Sequence, residues 1–235
     1  MFLAAALLAS IGAADLVRSA EDSRARVRVV SIILGSVVAV LLVSGTGYGW
    51  LWPLLLIVAV VAWVLTTGSD RFGAWPSVVL ALLVATALAA GAVLPVASGW
   101  LTDWYAGLPY PALDSRPFDQ AALIAGYSVF LLKSANIVVR EALSTTDARI
   151  QRGELRIKGG RLIGPIERIF LFWMALAGQL LAIGAIVAAK GILRYPEISE
   201  REGKKSRGAL AEYVLIGSLV SWGLALVLVP LLAQN

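Results

Sequence analysis

The sequence predicts an all-α integral membrane protein: a bundle of six or seven transmembrane helices that forms one domain over residues 1–235. Hydrophobic residues make up 59% of the chain, charged residues only 15%, and the mean hydropathy is +0.83. A soluble domain carries about 25% charged residues, which its exterior needs in order to stay solvated. Long apolar runs also recur between short polar segments, as membrane-crossing helices of about 20 residues require. The composition therefore excludes a cytosolic enzyme, a secreted disulfide-rich domain and a disordered chain.

Seven apolar segments are expected to cross the membrane as helices. The first has no positive charge ahead of its apolar core, so we interpret it as a membrane helix with an outside N-terminus rather than a signal peptide. The fourth contains Pro95, which should kink it near its far end. In chain order the segments are Phe2–Leu16, Val29–Val43, Tyr48–Thr67, Trp75–Trp100, Ala121–Val139, Gly164–Ala189 and Leu210–Leu232.

The sixth segment allows two interpretations. A plain transmembrane helix is favoured, because the 21 residues from Ile169 to Ala189 carry no charge and match the thickness of the bilayer. The alternative is a re-entrant hairpin that doubles back at Gly178, where glycine could supply the turn.

The distribution of Lys and Arg predicts the orientation in a cell membrane (an inner or plasma membrane). The loops after the first, third and fifth segments hold more of these residues than the other loops do. Cytoplasmic loops are enriched in positive charge, so we expect the N-terminus outside and the C-terminus in the cytoplasm. Basic loops on that side face the anionic lipid leaflet, and for this reason we expect no nucleic-acid binding.

Two residue types are absent, and their absence narrows the chemistry. The chain has no cysteine and no histidine. It therefore lacks the thiolate and imidazole groups that serve most often as nucleophiles, general bases and transition-metal ligands. We expect no metal site, no cofactor and no catalytic residue. A membrane-embedded lipid enzyme that uses Glu and Lys is the least favoured of the interpretations.

Polar groups are concentrated in the C-terminal half. Fourteen of the 20 Lys and Arg residues follow residue 120, so we divide the domain into a scaffold half, 1–120, and a polar-motif half, 121–235. Ionisable residues within apolar segments are rare and often functional. The candidate residues for binding an anionic ligand or a lipid headgroup are Lys133, Asn136, Arg161, Glu167, Arg168, Gln179, Lys190, Arg194, Glu212 and Tyr213.

Several of these candidates also have ordinary structural explanations. Lys133 and Asn136 are three residues apart and share a helix face, but Lys133 could also snorkel to the membrane surface. Gln179 either hydrogen-bonds to a neighbouring helix or lines a pocket. Pro165 and Glu167 fit the first turn of a helix, where proline and a carboxylate are both favoured.

A second group of candidates lies between the last two segments. Lys190 and Arg194 are spaced i, i+4, which makes a fork for a phosphate or carboxylate or complements the helix dipole. Glu212 and Tyr213 open the last helix after a loop short enough to return beside them. The structural alternative to a ligand site is an ion pair from Lys190 or Arg194 to Glu212.

Residues 148–163 alternate between polar and apolar side chains, with glycines between them. A period of two predicts a short β-hairpin or an amphipathic ribbon at the membrane surface. Its arginines could bind lipid headgroups or a soluble partner.

Four motifs follow one another in the C-terminal half: Gly160–Arg168, Gly178–Gly184, Ala188–Tyr195 and Ala211–Ser221. Together they resemble a family of prokaryotic multi-pass membrane proteins, domain of unknown function 3307. The resemblance implies a multi-pass membrane fold and one polar cluster, but no established activity. Family members share histidines in their N-terminal half that suggest a metal site, and this chain has none of them.

Three classes of function follow from these patterns. The favoured one is a non-enzymatic membrane component that handles a small anionic solute or lipid headgroup, or transmits a signal, through the C-terminal polar cluster. The alternative is a structural subunit whose basic loops dock a cytoplasmic protein. Membrane lipids are the expected partners, and the small-residue pairs Gly178/Ala182 and Gly217/Ser221 also predict a homo-oligomer. The embedded lipid enzyme is third.

Overall fold

The computed structural model describes residues 1–18, 25–67, 72–143, 160–199 and 204–233; the side chains of 112, 114, 160–162, 193–199 and 204–214 are not described. Every secondary-structure element in those ranges is a helix, which confirms the predicted all-α class. The helices are α1 Phe2–Val17, α2 Ala25–Ser44, α3 Leu51–Thr66, α4 Trp75–Ala90, α5 Trp100–Ala106, α6 Pro111–Asp114, α7 Phe118–Leu132, α8 Ser134–Leu143, α9 Gly160–Leu176, α10 Leu180–Ser199, α11 Lys204–Leu226 and α12 Val229–Leu232.

The chain divides into two compact units. Unit 1 comprises residues 1–137 and unit 2 residues 138–235, so the division falls within α8. Unit 1 contains the predicted scaffold half and continues through α7. Unit 2 contains α9 to α12.

Helix α1 forms the centre of unit 1. Thirteen of its sixteen residues are buried, and α2, α3, α4 and α7 all pack against it. Its sequence is a run of alanine and leucine with scattered small polar residues and no polar face. A helix that is apolar all round is stable only where it is covered all round, which explains the central position. The first apolar segment is therefore part of the core.

Small residues let the neighbouring helices approach α1 closely. A Cβ added at Gly126 of α7 would lie 2.5 Å from the carbonyl oxygen of Ala5, and one added at Gly35 of α2 would lie 2.8 Å from that of Ser10. A Cβ added at Gly12 of α1 would lie 2.9 Å from backbone atoms of Val129 and Phe130 in α7. Packing of backbone against backbone is the usual way for helices to associate where no hydrophobic effect drives them together.

The outer surface of unit 1 is as apolar as its interior. Large aliphatic side chains on α2, α3 and α4 face outward, among them Ile33, Val58 and Leu82 with 56%, 65% and 62% of their surfaces exposed. Soluble monomers rarely expose contiguous apolar patches of this kind, and such patches mark contact with lipid or with another protein.

Unit 2 is built on a helical hairpin. Helix α9 ends at Leu176, Gly178 turns the chain with φ +70°, and α10 begins at Leu180. A left-handed backbone is strained for any residue with a side chain, so glycine suits this turn. Helix α11 packs against both arms of the hairpin.

Fewer helices reach full transmembrane length than the sequence predicts. Within the described residues, Ala25–Ser44 and Leu215–Leu232 are long and apolar enough to cross a membrane. The pair α7 and α8 becomes a third if the two are counted as one span bent by 55°. A bundle of six or seven spans is therefore not confirmed. The shorter apolar helices are Phe2–Val17, Leu51–Thr66, Trp75–Ala90 and Leu180–Ile192.

Two of the expected segments end early or break. The fourth ends at Ala90, so Pro95 lies beyond the helix instead of kinking it. The fifth breaks at Lys133, where the backbone leaves the helical conformation with φ −131° and ψ −51°. The signals in the sequence were Pro95 beyond the first boundary and Lys133 at the second, but they were interpreted as a kink within one helix and as a charged residue within another.

The plain helix favoured for the sixth segment is wrong. The chain breaks at Gly178, as the alternative hairpin required. The predicted ribbon is also wrong in its last residues, since residues 160–163 belong to helix α9, whereas residues 148–159 lie outside the described ranges.

The close approach of α7 to α1 predicts a specific sensitivity to volume. Gly126→Ala should lower the thermal unfolding temperature in detergent, since inserting a methyl group into a packed core costs about 1–3 kcal/mol. The matched control is Gly223→Ala in α11, where an added Cβ meets nothing within 4 Å and should leave stability unchanged or slightly raised. Equal melting temperatures for the two variants would contradict the packing described for α1.

Candidate functional site

Two donor side chains of unit 2 converge on one carboxylate. The Nζ atom of Lys190 donates hydrogen bonds to both oxygens of Glu167, at 2.8 Å to Oε1 and 2.7 Å to Oε2. The Nε1 atom of Trp222 donates to Oε1 of Glu167 at 2.8 Å. Lys190 also lies 5.2 Å from the centre of the Trp222 ring, within the range of a cation–π contact. We call Glu167, Lys190 and Trp222 the Glu167 cluster.

The hairpin brings the two charged members together. Glu167 and Lys190 are almost equally far from Gly178 along the chain, so the antiparallel arms place them opposite each other. Trp222 comes from α11, which packs on both arms. The cluster therefore joins all three long helices of unit 2.

A second polar contact between α9 and α11 lies next to the Glu167 cluster, one residue away on each helix. The Nη1 atom of Arg168, a side chain with only 2% of its surface exposed, donates to Oγ of Ser221 at 3.0 Å. Residues 167 and 168 of α9 thus meet residues 222 and 221 of α11. The polar side chains face inward, as they do where the surroundings of a helix are apolar.

The carboxylate of Glu167 is held by groups that are donors only, the ammonium group of Lys190 and the indole N–H of Trp222. The side chains of Lys190 and Glu167 are 17% and 9% exposed, so the pair is largely but not completely buried. No group of three or more residues of the metal-binding types His, Cys, Asp and Glu occurs within the described part of the chain.

The remaining candidates are placed differently. Lys133 is exposed at the break between α7 and α8, and its carbonyl oxygen accepts from the backbone N–H of Asn136 at 3.0 Å. Both belong to unit 1. Gln179 is exposed in the turn after α9 and does not lie at the middle of a helix as predicted. The backbones of four candidates lie in described helices, but their side chains are outside the description: Arg161, Arg194, Glu212 and Tyr213.

Lys190 pairs with Glu167, a partner that the sequence analysis did not propose, whereas the predicted pairing with Glu212 involves a side chain outside the described part of the chain. Glu167 already had a sufficient explanation as a residue of the first helical turn, so its partner was not sought. The available signal was the hairpin alternative at Gly178. With that turn in place, residues 167 and 190 are brought opposite each other.

Sequence reasoning missed a second polar cluster, in unit 1. Asp15 and Arg18 form a buried ion pair at 2.7 Å, with side chains 0% and 4% exposed. Arg18 also donates to the carbonyl oxygen of Val64 at 3.0 Å and to Oγ1 of Thr67 at 2.6 Å. Trp63 Nε1 donates to the other oxygen of Asp15 at 2.8 Å. We call Asp15, Arg18, Trp63 and Thr67 the Asp15 cluster.

The Asp15 cluster holds the C-terminal ends of α1 and α3 together. Arg18 satisfies a carbonyl oxygen in the last turn of α3, which the helix itself leaves without a partner. Asp15 in turn receives donors from both α1 and α3. The i, i+3 spacing of Asp15 and Arg18 was the signal in the sequence, but it did not reveal the tryptophan or threonine of α3.

An aromatic cluster closes the opposite end of unit 1. The ring of Phe2 stacks on those of Tyr48 and Phe118, at 6.0 and 5.5 Å between ring centroids. The Tyr48 hydroxyl donates to the carbonyl oxygen of Pro95 at 2.8 Å. Burial raises the pKa of Tyr48, and the nearby charge of Asp119 raises that pKa further. The hydroxyl therefore stays protonated, as a donor must, throughout the physiological pH range.

One groove of unit 1 is lined almost entirely by apolar side chains. It has a volume of about 160 Å³ and lies between α3 and α4, with Ile11 of α1 at its base. Trp63 and Trp75 line it together with aliphatic side chains. Its lining contrasts with the Glu167 cluster, where charged groups meet.

Comparison with known proteins finds no matching family model, no matching curated protein and no matching solved structure. The assignment of function therefore depends on the residues of this chain.

The Asp15 cluster predicts a penalty for removing one donor. Trp63→Phe keeps an aromatic ring but leaves an oxygen of buried Asp15 without its hydrogen bond, which should cost about 1–3 kcal/mol of unfolding free energy. Trp75→Phe is the control, because this side chain is 71% exposed. The measurement is the unfolding temperature of both variants in the same detergent. A loss no larger at Trp63 than at Trp75 would show that the hydrogen bond is not structural.

Proposed function

We propose that this chain is a non-enzymatic, multi-pass protein of the cell membrane that binds a small anionic solute or a lipid headgroup through the Glu167 cluster. One observation carries the proposal: Lys190 Nζ and Trp222 Nε1 converge on the two oxygens of one carboxylate. Donors arranged in this way recognise a flat anionic group with two oxygens. Arg168 adds a second cationic group next to Glu167 in sequence.

The membrane location is supported by the distribution of apolar side chains. Helix α9 exposes Ile163, Ile166, Phe170 and Trp173 on one face, whereas Arg168 is buried on the other. A soluble helix has the opposite arrangement. With the outward aliphatic residues of α2 to α4, this gives both units surfaces that lipid would cover.

The full topology is part of the proposal. Six or seven crossings require the shorter helices to span, and α3 and α4, at sixteen residues each, are about 24 Å long. Helices of that length fit a bilayer that thins locally or flanking residues that snorkel. Helix α1 is covered by protein and needs no match to the lipid. The excess of Lys and Arg in the loops after the first, third and fifth segments supports an N-terminus outside. The predicted cytoplasmic C-terminus required a plain sixth span, which the hairpin at Gly178 replaces.

The absence of histidine and cysteine from the whole sequence supports binding over catalysis. The two charged members of the Glu167 cluster neutralise each other. Nothing in their arrangement provides an activated nucleophile, which would need an adjacent general base and an orienting third group.

A structural, partner-docking subunit is the second candidate. The observation that favours it is the packing of unit 1, with helix backbones in contact at Gly12, Gly35 and Gly126 and with a closed Asp15 cluster. In this form the basic loops would anchor a cytoplasmic protein. A homo-oligomer belongs to this candidate, but its predicted contacts are weakened. Gly217 packs toward Leu143 and Ser221 binds Arg168, both within unit 2.

Binding should depend on Lys190. Purified protein in neutral phosphatidylcholine nanodiscs is titrated with phosphatidylglycerol in one arm and inorganic phosphate in the other, and the rise in unfolding temperature reports binding. Lys190→Gln should abolish the rise, because it removes the cation that holds the anion. The two arms distinguish a lipid headgroup from a free solute.

Lys133→Gln is the matched control for the Lys190 experiment, since it makes the same chemical change at an exposed lysine of unit 1. It should leave the rise intact. Because each variant is compared with itself in the absence of anion, a general loss of stability does not imitate lost binding. A rise that survives Lys190→Gln, or that disappears with Lys133→Gln, would contradict the proposed site.

A further inference from the structure

We infer that the carboxylate of Glu167 is a built-in competitor that occupies the anion position and must be displaced by the ligand. This inference rests on the proposed function and names the ligand class: a singly charged group with two equivalent oxygens, either a carboxylate or a phosphodiester. Both oxygens of Glu167 are engaged, Oε1 by two donors and Oε2 by one. A ligand of that class can reproduce the same three hydrogen bonds.

Two ion pairs among the described residues differ in the way that this inference requires. The side chains of Asp15 and Arg18 are 0% and 4% exposed, and Arg18 is further fixed by Val64 and Thr67. The side chains of Glu167 and Lys190 are 9% and 17% exposed. The second pair is therefore the more accessible of the two to an incoming anion.

Trp222 keeps Lys190 in position when a ligand replaces the carboxylate of Glu167. Its ring lies 5.2 Å from Lys190 Nζ, and its N–H points at the carboxylate. When the carboxylate of Glu167 leaves, the ring still attracts the ammonium group and the N–H remains available as a donor. Lys190 and Trp222 therefore stay in position for the incoming anion, and only one flexible acidic side chain has to move.

Removing the charge of Glu167 should strengthen the binding of an anion. Glu167→Gln removes the competing charge but keeps the size of the side chain, so the Kd for the anionic probe should fall about tenfold. The probes are phosphatidylglycerol in neutral nanodiscs, soluble acetate and a soluble dialkyl phosphate. Asp103→Asn is the control, because it changes the net charge equally at an exposed acid in α5.

The double variant Glu167→Gln with Lys190→Gln should lose the gain, since the cation that attracts the probe is then absent. If Lys190→Gln abolishes binding but Glu167→Gln does not strengthen it more than Asp103→Asn does, the competitor role is wrong and the binding site remains. If neither change affects binding, the proposed function fails as well. A tightened Kd confined to the phospholipid identifies a headgroup as the ligand, whereas tightening for the soluble anions as well identifies a general two-oxygen site.

Discussion

Helix α1 is buried along most of its length, and this constraint organises unit 1. Four helices cover it, and α2 and α7 approach it closely where glycines lie at the contacts, as at Gly126 against Ala5. The same burial makes any charge on α1 costly unless it is paired. Asp15 therefore forms an ion pair with Arg18, one turn further along the chain, and accepts a hydrogen bond from Trp63 of α3. The burial of one helix thus accounts both for the packing at the centre of the bundle and for the Asp15 cluster.

The two polar clusters show how exposure separates a structural ion pair from a candidate binding site. In the Asp15 cluster, backbone and side-chain partners from two helices surround the pair and leave no access. In the Glu167 cluster, the cation contacts a carboxylate and an aromatic ring, and the side chains of Lys190 and Glu167 are 17% and 9% exposed. Pairing alone does not indicate function, because both clusters are paired. Access to the cation is what makes an anion-binding role physically reasonable.

The composition was enough to predict the helical class, since apolar runs of this length favour helices, but it did not locate the breaks. Lys133 is a charge within its apolar segment, but it was interpreted as a snorkelling or binding residue and not as a helix break, and the break at Gly178 depends on a single positive φ. Lys190 was predicted as a site residue, but Glu167 was not proposed as its partner. The pairing with Glu167 depends on the hairpin turn, a tertiary feature that local patterns do not specify. Trp63 and Trp222 were missed for the same reason, because tryptophan in an apolar segment has an ordinary explanation at the membrane surface.

The arrangement of helices around α1 is tested most directly by labelling from the lipid phase. An apolar photoreactive diazirine is dissolved in bilayers that contain the folded protein, and the labelled peptides are mapped by mass spectrometry. The outward residues of α2 and α3, such as Ile33 and Val58, should be labelled, and residues 2–15 should remain unlabelled until the protein is unfolded in dodecyl sulfate. Labelling of residues 2–15 in the folded protein to the same extent as α2 would contradict the central position of α1.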